Sequence, residues 1–188
     1  MRPVILIDFD ETLIDTTEIK RRTLDLFLGS GAKLPAIKHA LLVIRPFAPE
    51  KVLHLLFPED ERPKRKFFSL FKRLGEYNYA GVELLLRRLQ ESHDLILLTY
   101  GDPRFQRLKI RQSGLRPFFK KVVVTKDPAK VEAIVKLKKK GAVAILDDAE
   151  EVCKAAPKCN LPAIRIRRGR KDSRYFAGVL RRLNRIVS

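Results

Sequence analysis

The chain has 188 residues, which is enough for one sizeable hydrophobic core with a small insertion but not comfortably for two independent domains. Apolar residues make up 45% of it and charges of both signs are plentiful, which excludes a disordered or fibrous chain. The formal net charge of +18 would attract anions, including nucleic acid and phosphorylated metabolites, unless it reflects only a general use of Lys and Arg on solvated faces.

Neither a membrane span nor a signal peptide is predicted. No apolar run approaches the roughly 20 residues that a bilayer span needs, and the N-terminal MRPVILID reaches an acidic residue too soon for a signal peptide. We therefore expect a cytoplasmic protein without a membrane partner. The sequence leaves the oligomeric state open.

Five short apolar runs rich in branched residues predict the strands of a sheet. They span residues 4–8, 95–99, 122–125, 142–147 and 163–166. Segments with helical apolar spacing lie between most of them. Because most runs are continuous rather than alternating, we expect a parallel sheet covered on both faces, a Rossmann-like three-layer α/β/α fold.

The interval 16–79 interrupts this alternation of strands and helices. It has no strand-like run and reads as several helices punctuated by prolines. This predicts a helical cap at 16–79 inserted into a core formed by 1–15 and 80–188, although a thick helical layer on the sheet is an alternative. Phe67, Phe68 and Phe71 lie at helical spacing and favour the interior of this region over a substrate platform.

The C-terminal segment 165–188 is basic throughout. We expect it to pack on the core through a terminal helix that has an arginine-rich outer face. Leu180, Leu183, Ile186 and Val187 fall at helical spacing and would face the core.

Acidic side chains follow three of the predicted strands. The first strand ends at Asp8 and Asp10, the third is followed by Asp127, and the fourth ends at Asp147 and Asp148, while the second ends at Thr99. Ligands of open parallel sheets bind at the carboxyl ends of the strands, where so many acids would repel one another without a cation. Carboxylate oxygens favour Mg²⁺, which Asp8, the Asp10 backbone carbonyl, Asp147 and Asp148 could hold together.

Four motifs in this order resemble those of the haloacid dehalogenase-like hydrolase superfamily. They are DFDET followed by LIDT, the strand-terminal threonine of LILLTYGD, a lysine ahead of the last catalytic strand, and the acidic pair of AVAILDDAEE. The resemblance covers the chain from residue 4 to about 156. It leaves the cap and the basic tail unmatched.

The resemblance implies a catalytic role for each matching residue. Asp8 would attack phosphorus and form an aspartyl-phosphate, and Asp10 would act as general acid and then as general base. Thr99 would hold phosphate oxygens, while a lysine and magnesium offset charge on the transferring group. Lys126 and Lys130 both fit the lysine motif. We favour Lys130, because a helix-borne lysine after the turn is better fixed.

The loop after the first strand departs from the family pattern at one position. Glu11 stands where the family usually has glycine, which makes this loop less permissive and adds negative charge. We expect Thr12 to brace the loop through a side-chain to backbone hydrogen bond. Asp15 and Thr16 mark the point where the chain leaves the core for the cap.

The sequence therefore predicts a magnesium-dependent phosphate monoester hydrolase that acts on a small phosphorylated metabolite or a nucleotide. The Asp10 position favours an oxygen leaving group, because a dehalogenase needs no such proton donor. A phosphomutase stays open. A binding protein of a different class also stays open, in which the basic tail would make weak electrostatic contacts with nucleic acid or the ribosome.

Overall fold

The computed structural model describes residues 2–167 and 172–187. The strands are β1 (Val4–Ile7), β2 (Asp94–Tyr100), β3 (Lys121–Thr125), β4 (Ala142–Asp147) and β5 (Ala163–Arg165). The helices are α1 (Thr16–Gly29), α2 (Leu34–Val43), α3 (Pro49–Leu56), α4 (Glu61–Leu70), α5 (Val82–Gln90), α6 (Pro103–Gln112), α7 (Val131–Lys138), α8 (Glu150–Lys158) and α9 (Ser173–Val187). Residues 1, 168–171 and 188 of the predicted core and basic segment lie outside the described residues.

All strand pairs of the sheet are parallel, in the order β3-β2-β1-β4-β5. Alternate residues of β1 enter different apolar clusters, with Ile5 and Ile7 in one and Val4 and Leu6 in the other. Helices α5 and α9 contribute to the first cluster, and α7 and α8 to the second. Burial on both faces explains the continuous apolar runs. The predicted three-layer α/β/α fold is confirmed.

Helices α1–α4 fill the interval between β1 and β2. Asp15 begins α1 by accepting a hydrogen bond from the Thr17 amide, and Pro35, Pro49 and Pro63 lie in the first turns of α2, α3 and α4. Within residues 16–77, all of them described, the chain forms helices, turns and coil but no strand.

The aromatic residues of this helical region pack against the sheet side of the molecule. Phe67 and Phe71 are buried, and their rings lie 6.0 and 5.1 Å from that of Phe105 in α6. One continuous apolar cluster therefore joins the helices to the sheet. The division into a core and a cap at 16–79 stays a prediction.

The chain leaves the sheet for helices α1–α4 and returns from them along paired segments. The Asp15 amide donates to the Tyr77 carbonyl (2.8 Å), and the Tyr79 amide donates to the Leu13 carbonyl (3.0 Å). Gly81 then begins α5 with a φ of +90°, and a Cβ there would lie 2.7 Å from the Ser173 Cα. Only glycine fits this junction between α5 and α9.

Helix α9 contacts α5, β4 and β5. Its buried residues are Phe176, Val179 and Leu183. The prediction that Ile186 faces the core is wrong, since its side chain is 41% exposed. At 3.6 residues per turn the buried face continues from Leu183 to the half-buried Val187 instead.

Cys153 and Cys159 are free thiols and half-buried. In the described part of the chain, no helix has both the length and the apolar character to cross a membrane.

Because helices α1–α4 and the sheet share one core, we predict that Phe67→Ala lowers the free energy of unfolding by about 3–5 kcal/mol in a single transition. Leu42→Ala, at a 64% exposed position of α2, serves as the control and should change it by less than about 0.5 kcal/mol. Urea unfolding followed by circular dichroism measures both. Two separate transitions, with only one shifted, would show that the helical region folds on its own.

Candidate active site

The predicted site residues lie at the carboxyl edge of the sheet. Asp8 follows the central strand β1, Asp147 ends the neighbouring β4, and Thr99 is the penultimate residue of β2. Strand order reverses between β1 and β4, and open α/β sheets bind ligands at such a point. All three side chains are buried.

Lys130 joins the ends of two strands. Its Nζ donates to Asp8 Oδ1 (2.5 Å), Asp147 Oδ2 (2.7 Å) and the Leu98 carbonyl (3.1 Å). Its backbone has a φ of +59°, a left-handed conformation that costs energy for any residue but glycine and is held here at the start of α7. Lys126, the other lysine considered for this position, is exposed.

Two buried carboxylates compete for this one ammonium group. Burial raises the pKa of Asp8 to about 7. Lys130 opposes this increase, and the negative charge of Asp147 adds to it. Burial likewise raises the pKa of Asp147. Burial alone would lower the pKa of Lys130, but Asp8 and Asp147 raise it above its ordinary value. The cluster therefore lacks positive charge.

Asp8, Asp147 and Asp148 each present a carboxylate oxygen within 4.8 Å of the others. Because Asp8 and Asp147 share the single ammonium group of Lys130, their ionised forms leave an excess of negative charge, which a divalent cation would offset. The donors are hard oxygens, as Mg²⁺ prefers. These residues therefore fit the predicted magnesium site. The part expected of the Asp10 backbone carbonyl stays a prediction.

The Asp10 carboxylate faces α6. Lys109 Nζ lies 2.6 Å from each of its oxygens, and Gln106 Nε2 donates to Oδ2 at 3.0 Å. Lys109 also lies 5.2 Å from the centre of the Phe105 ring. Burial alone would raise the pKa of Asp10, but Lys109 and Gln106 hold it below its ordinary value.

Sequence reasoning missed Lys109. Helix α6, with the sequence PRFQRLKIRQ, carries four basic residues, and no periodicity distinguishes the one that turns inward. The sequence feature that could have indicated Lys109 is its spacing from Gln106. The two residues lie three positions apart and so share a face of the helix.

Glu11 fixes the loop after β1. It has a φ of +57°, where the family pattern has glycine, and its carboxylate accepts hydrogen bonds from three hydroxyls. The donors are Thr16 Oγ1 (2.6 Å), Thr17 Oγ1 (3.0 Å) and Tyr79 Oη (3.2 Å). One side chain thereby ties β1 to the start of α1 and to the returning chain.

The predicted bracing role of Thr12 is wrong. Its hydroxyl is buried without a hydrogen-bond partner among the described residues. The loop is held instead by Glu11 and by backbone bonds, such as that from the Leu13 amide to the Phe9 carbonyl (2.9 Å).

The structure thus brings Asp8, Lys130, Asp147 and Asp148 together and places Asp10 beside them on Lys109. Their catalytic and metal-binding roles, and that of Thr99 as a phosphate ligand, stay predictions.

We predict that Lys130→Met lowers the free energy of unfolding by about 3–5 kcal/mol, because it leaves two buried carboxylates without their cation. The predicted magnesium ion should narrow the gap to the wild type, because loss of the lysine charge would make the folded variant bind the cation more tightly. Lys126→Met removes an exposed lysine of the same loop and should be neutral. Urea unfolding with and without magnesium measures the free energy of unfolding of each variant. Equal stability of Lys130→Met and Lys126→Met would contradict the prediction.

Glu11→Gly and Glu11→Ala both remove the shared acceptor and should destabilise the protein by about 1–3 kcal/mol. We expect the alanine variant to be the less stable one by up to about 1 kcal/mol, because alanine resists a φ of +57°. Thermal unfolding of the pair isolates the backbone contribution. An alanine variant as stable as the glycine variant would show that the loop relaxes.

Comparison with known proteins finds a similarity of structure alone. No protein-family model matches the chain, and no curated protein matches its sequence. A haloacid dehalogenase-like family hydrolase from Xanthomonas campestris superposes with a TM-score of 0.68 at 15% identity, over 100% of this chain and 97% of that one.

Two further solved structures carry ligands. YfnB from Bacillus subtilis, bound to magnesium, has a TM-score of 0.60 at 20% identity over 88% of this chain and 86% of that one. CbbY from Rhodobacter sphaeroides, in complex with phosphate, has a TM-score of 0.57 at 17% identity over 89% and 87%. This chain therefore has the fold of the haloacid dehalogenase-like hydrolases, as its four sequence motifs predicted.

Proposed function

We propose that the protein is a magnesium-dependent hydrolase of phosphate monoesters that acts through an aspartyl-phosphate. The observation that supports it most is the contact of Asp8 and Asp147 with Lys130, with Asp148 beside them at the carboxyl edge of the sheet. Burial of two carboxylates on one ammonium group is costly for folding alone, and perturbed carboxyl groups of this kind are typical of sites that bind a metal or a phosphoryl group.

Asp8 is the nucleophile of this proposal. Its carboxylate oxygen forms a bond to phosphorus while the bond from phosphorus to the alcohol oxygen breaks, and that oxygen takes the electron pair and a proton. Water then attacks the aspartyl-phosphate, which releases phosphate and restores the Asp8 carboxylate. Lys130 holds Asp8 in place and offsets charge on the phosphoryl group, and Thr99 binds its oxygens.

Asp10 handles the proton in both steps of this proposal. While Lys109 contacts both of its oxygens, Asp10 is ionised, which is the form that accepts the proton of the attacking water, and it becomes a stronger base when that contact opens. Donation to the leaving oxygen in the first step requires the ion pair to open. A bound phosphate dianion would favour that opening, because it attracts the ammonium group of Lys109.

Asp8, the Asp10 backbone carbonyl, Asp147 and Asp148 would hold the magnesium ion. When bound it supplies positive charge that offsets the charge of the phosphoryl group. The magnesium in YfnB and the phosphate in CbbY, which share this fold, support the proposal.

We also propose that helices α1–α4 act as a cap that closes over the site. The paired segments 13–15 and 77–79 would be the hinge, since the polypeptide chain passes between the sheet and helices α1–α4 only through these two segments among the described residues. A phosphomutase would use the same first step, and it differs in passing the phosphoryl group to a second substrate rather than to water.

A basic groove favours a second candidate function. An open cavity of about 710 Å³ reaches Asp148 and is lined by four arginines, Arg165, Arg167, Arg182 and Arg185. Such a groove suits a polyanion, including nucleic acid, through contacts that weaken as salt rises.

Hydrolysis of p-nitrophenyl phosphate by the purified protein tests the proposal. We expect turnover that requires magnesium and that falls at least about 10³-fold in Asp8→Asn, because that amide is a poor nucleophile. Asp25→Asn, an exposed residue of α1, is the matched control and should retain activity.

An inactive wild type that binds RNA with a steep salt dependence would contradict the hydrolase. It would favour the groove function instead.

A further inference from the structure

Beside Asp10 lies a cavity of about 450 Å³, bounded by α1, α2, α6 and the end of β2. We propose that this cavity holds the alcohol part of the ester and that the substrates are monophosphates of apolar alcohols, either aromatic or alkyl. The inference rests on the proposed hydrolase function and names the substrate class of that site. The cavity lies within the range of about 300–1,000 Å³ typical of small-molecule sites.

The body of the cavity is apolar. Leu24 and Leu41 line it from α1 and α2, and Phe47, Phe71 and Phe105 add aromatic walls. The Phe105 ring lies 5.6 Å from that of Phe47 and 5.1 Å from that of Phe71, so these walls support one another. A polar alcohol such as a sugar would leave its hydroxyls without partners against this surface.

Polar residues gather at the end of the cavity near β1. Asp10, Gln106 and Lys109 line it there and contact one another. Thr16 and Lys20 also line it, and both contact Glu11, the residue that follows Asp10. Thr16 donates a hydrogen bond to the Glu11 carboxylate, and Lys20 forms an ion pair with it. The cavity is therefore amphipathic, as an apolar alcohol joined to a phosphate requires.

The proposed chemistry determines how the substrate lies in the cavity. The proton donor must contact the oxygen that joins phosphorus to the alcohol, so the carbon atoms lie on the far side of Asp10 from the nucleophile. Of the described residues that line the cavity, Asp10 alone belongs to the proposed catalytic set. The alcohol would thus enter the cavity while the phosphate stays with Asp8 and Lys130.

A series of n-alkyl phosphates from methyl to heptyl measures the preference. Each buried methylene contributes about 0.8 kcal/mol, so kcat/KM should rise about fourfold per methylene until the cavity is full. Glycerol phosphate should be hydrolysed more slowly than propyl phosphate of the same chain length. Equal kcat/KM values along the series would overturn the inference while leaving the hydrolase in place.

Two adjacent leucines of α2 provide the matched variants. Leu41 lines the cavity and Leu42 does not, and both are exposed enough, at 41% and 64%, to accept a charge without loss of folding. Leu41→Glu should flatten the chain-length dependence, and Leu42→Glu should keep it. The same loss in both variants would count against the cavity as the binding place.

Binding of alkylphosphonates, measured by calorimetry on the magnesium-loaded protein, gives a readout that needs no turnover. The dissociation constant should fall about fourfold per methylene in the wild type and stay level in Leu41→Glu. If no phosphate ester is hydrolysed but this trend holds, the hydrolase proposal fails and the ligand class stands. If the dissociation constant does not depend on chain length, the cavity does not bind the alkyl group and the inference is overturned.

Discussion

The site depends on one buried interaction, the contact of Lys130 with both Asp8 and Asp147. These carboxylates end neighbouring strands and would repel each other at the centre of the sheet without the ammonium between them. The lysine adopts a left-handed backbone conformation to reach them from the start of α7. Since these two carboxylates share one cation, their ionised forms keep an excess of negative charge, which fits the magnesium ion that we propose to bind there.

The loop between β1 and α1 shows how a changed residue can keep the geometry of a site by other means. A glycine would adopt the left-handed conformation at position 11 without strain, but it would hold nothing in place. Glu11 accepts that strain and gains three hydroxyl donors, of which Thr16 lies on the departing chain and Tyr79 on the returning one. The loop that carries Asp10 is consequently fixed to both segments that join the helical region to the sheet.

The two sides of the site differ in character. Toward β2 lies the apolar cavity that reaches Asp10, and toward β5 lies the arginine-lined groove that reaches Asp148. The large net positive charge of the chain therefore does not mean that every surface around the site is basic. In the proposed function, the charge of the chain would attract the phosphate, and the aromatic walls beside Asp10 would select the alcohol to which it is attached.

The sequence by itself determined the sheet and the identity of the acidic residues. Each predicted strand agrees with the observed one to within one residue, because strands buried on both faces must be continuous apolar runs and polar residues must follow at their ends. Only the tertiary structure decided which basic residues enter the site. The sequence narrowed the lysine of the third motif to Lys126 or Lys130, with Lys130 favoured, but Lys109 looks like any other lysine in a chain so rich in them. Both Lys109 and Lys130 are distinguished by burial against carboxylates that lie 99 and 122 residues away in the chain. The same holds for the apolar cavity, whose walls come from helices, a strand end and connecting segments that local periodicity cannot bring together.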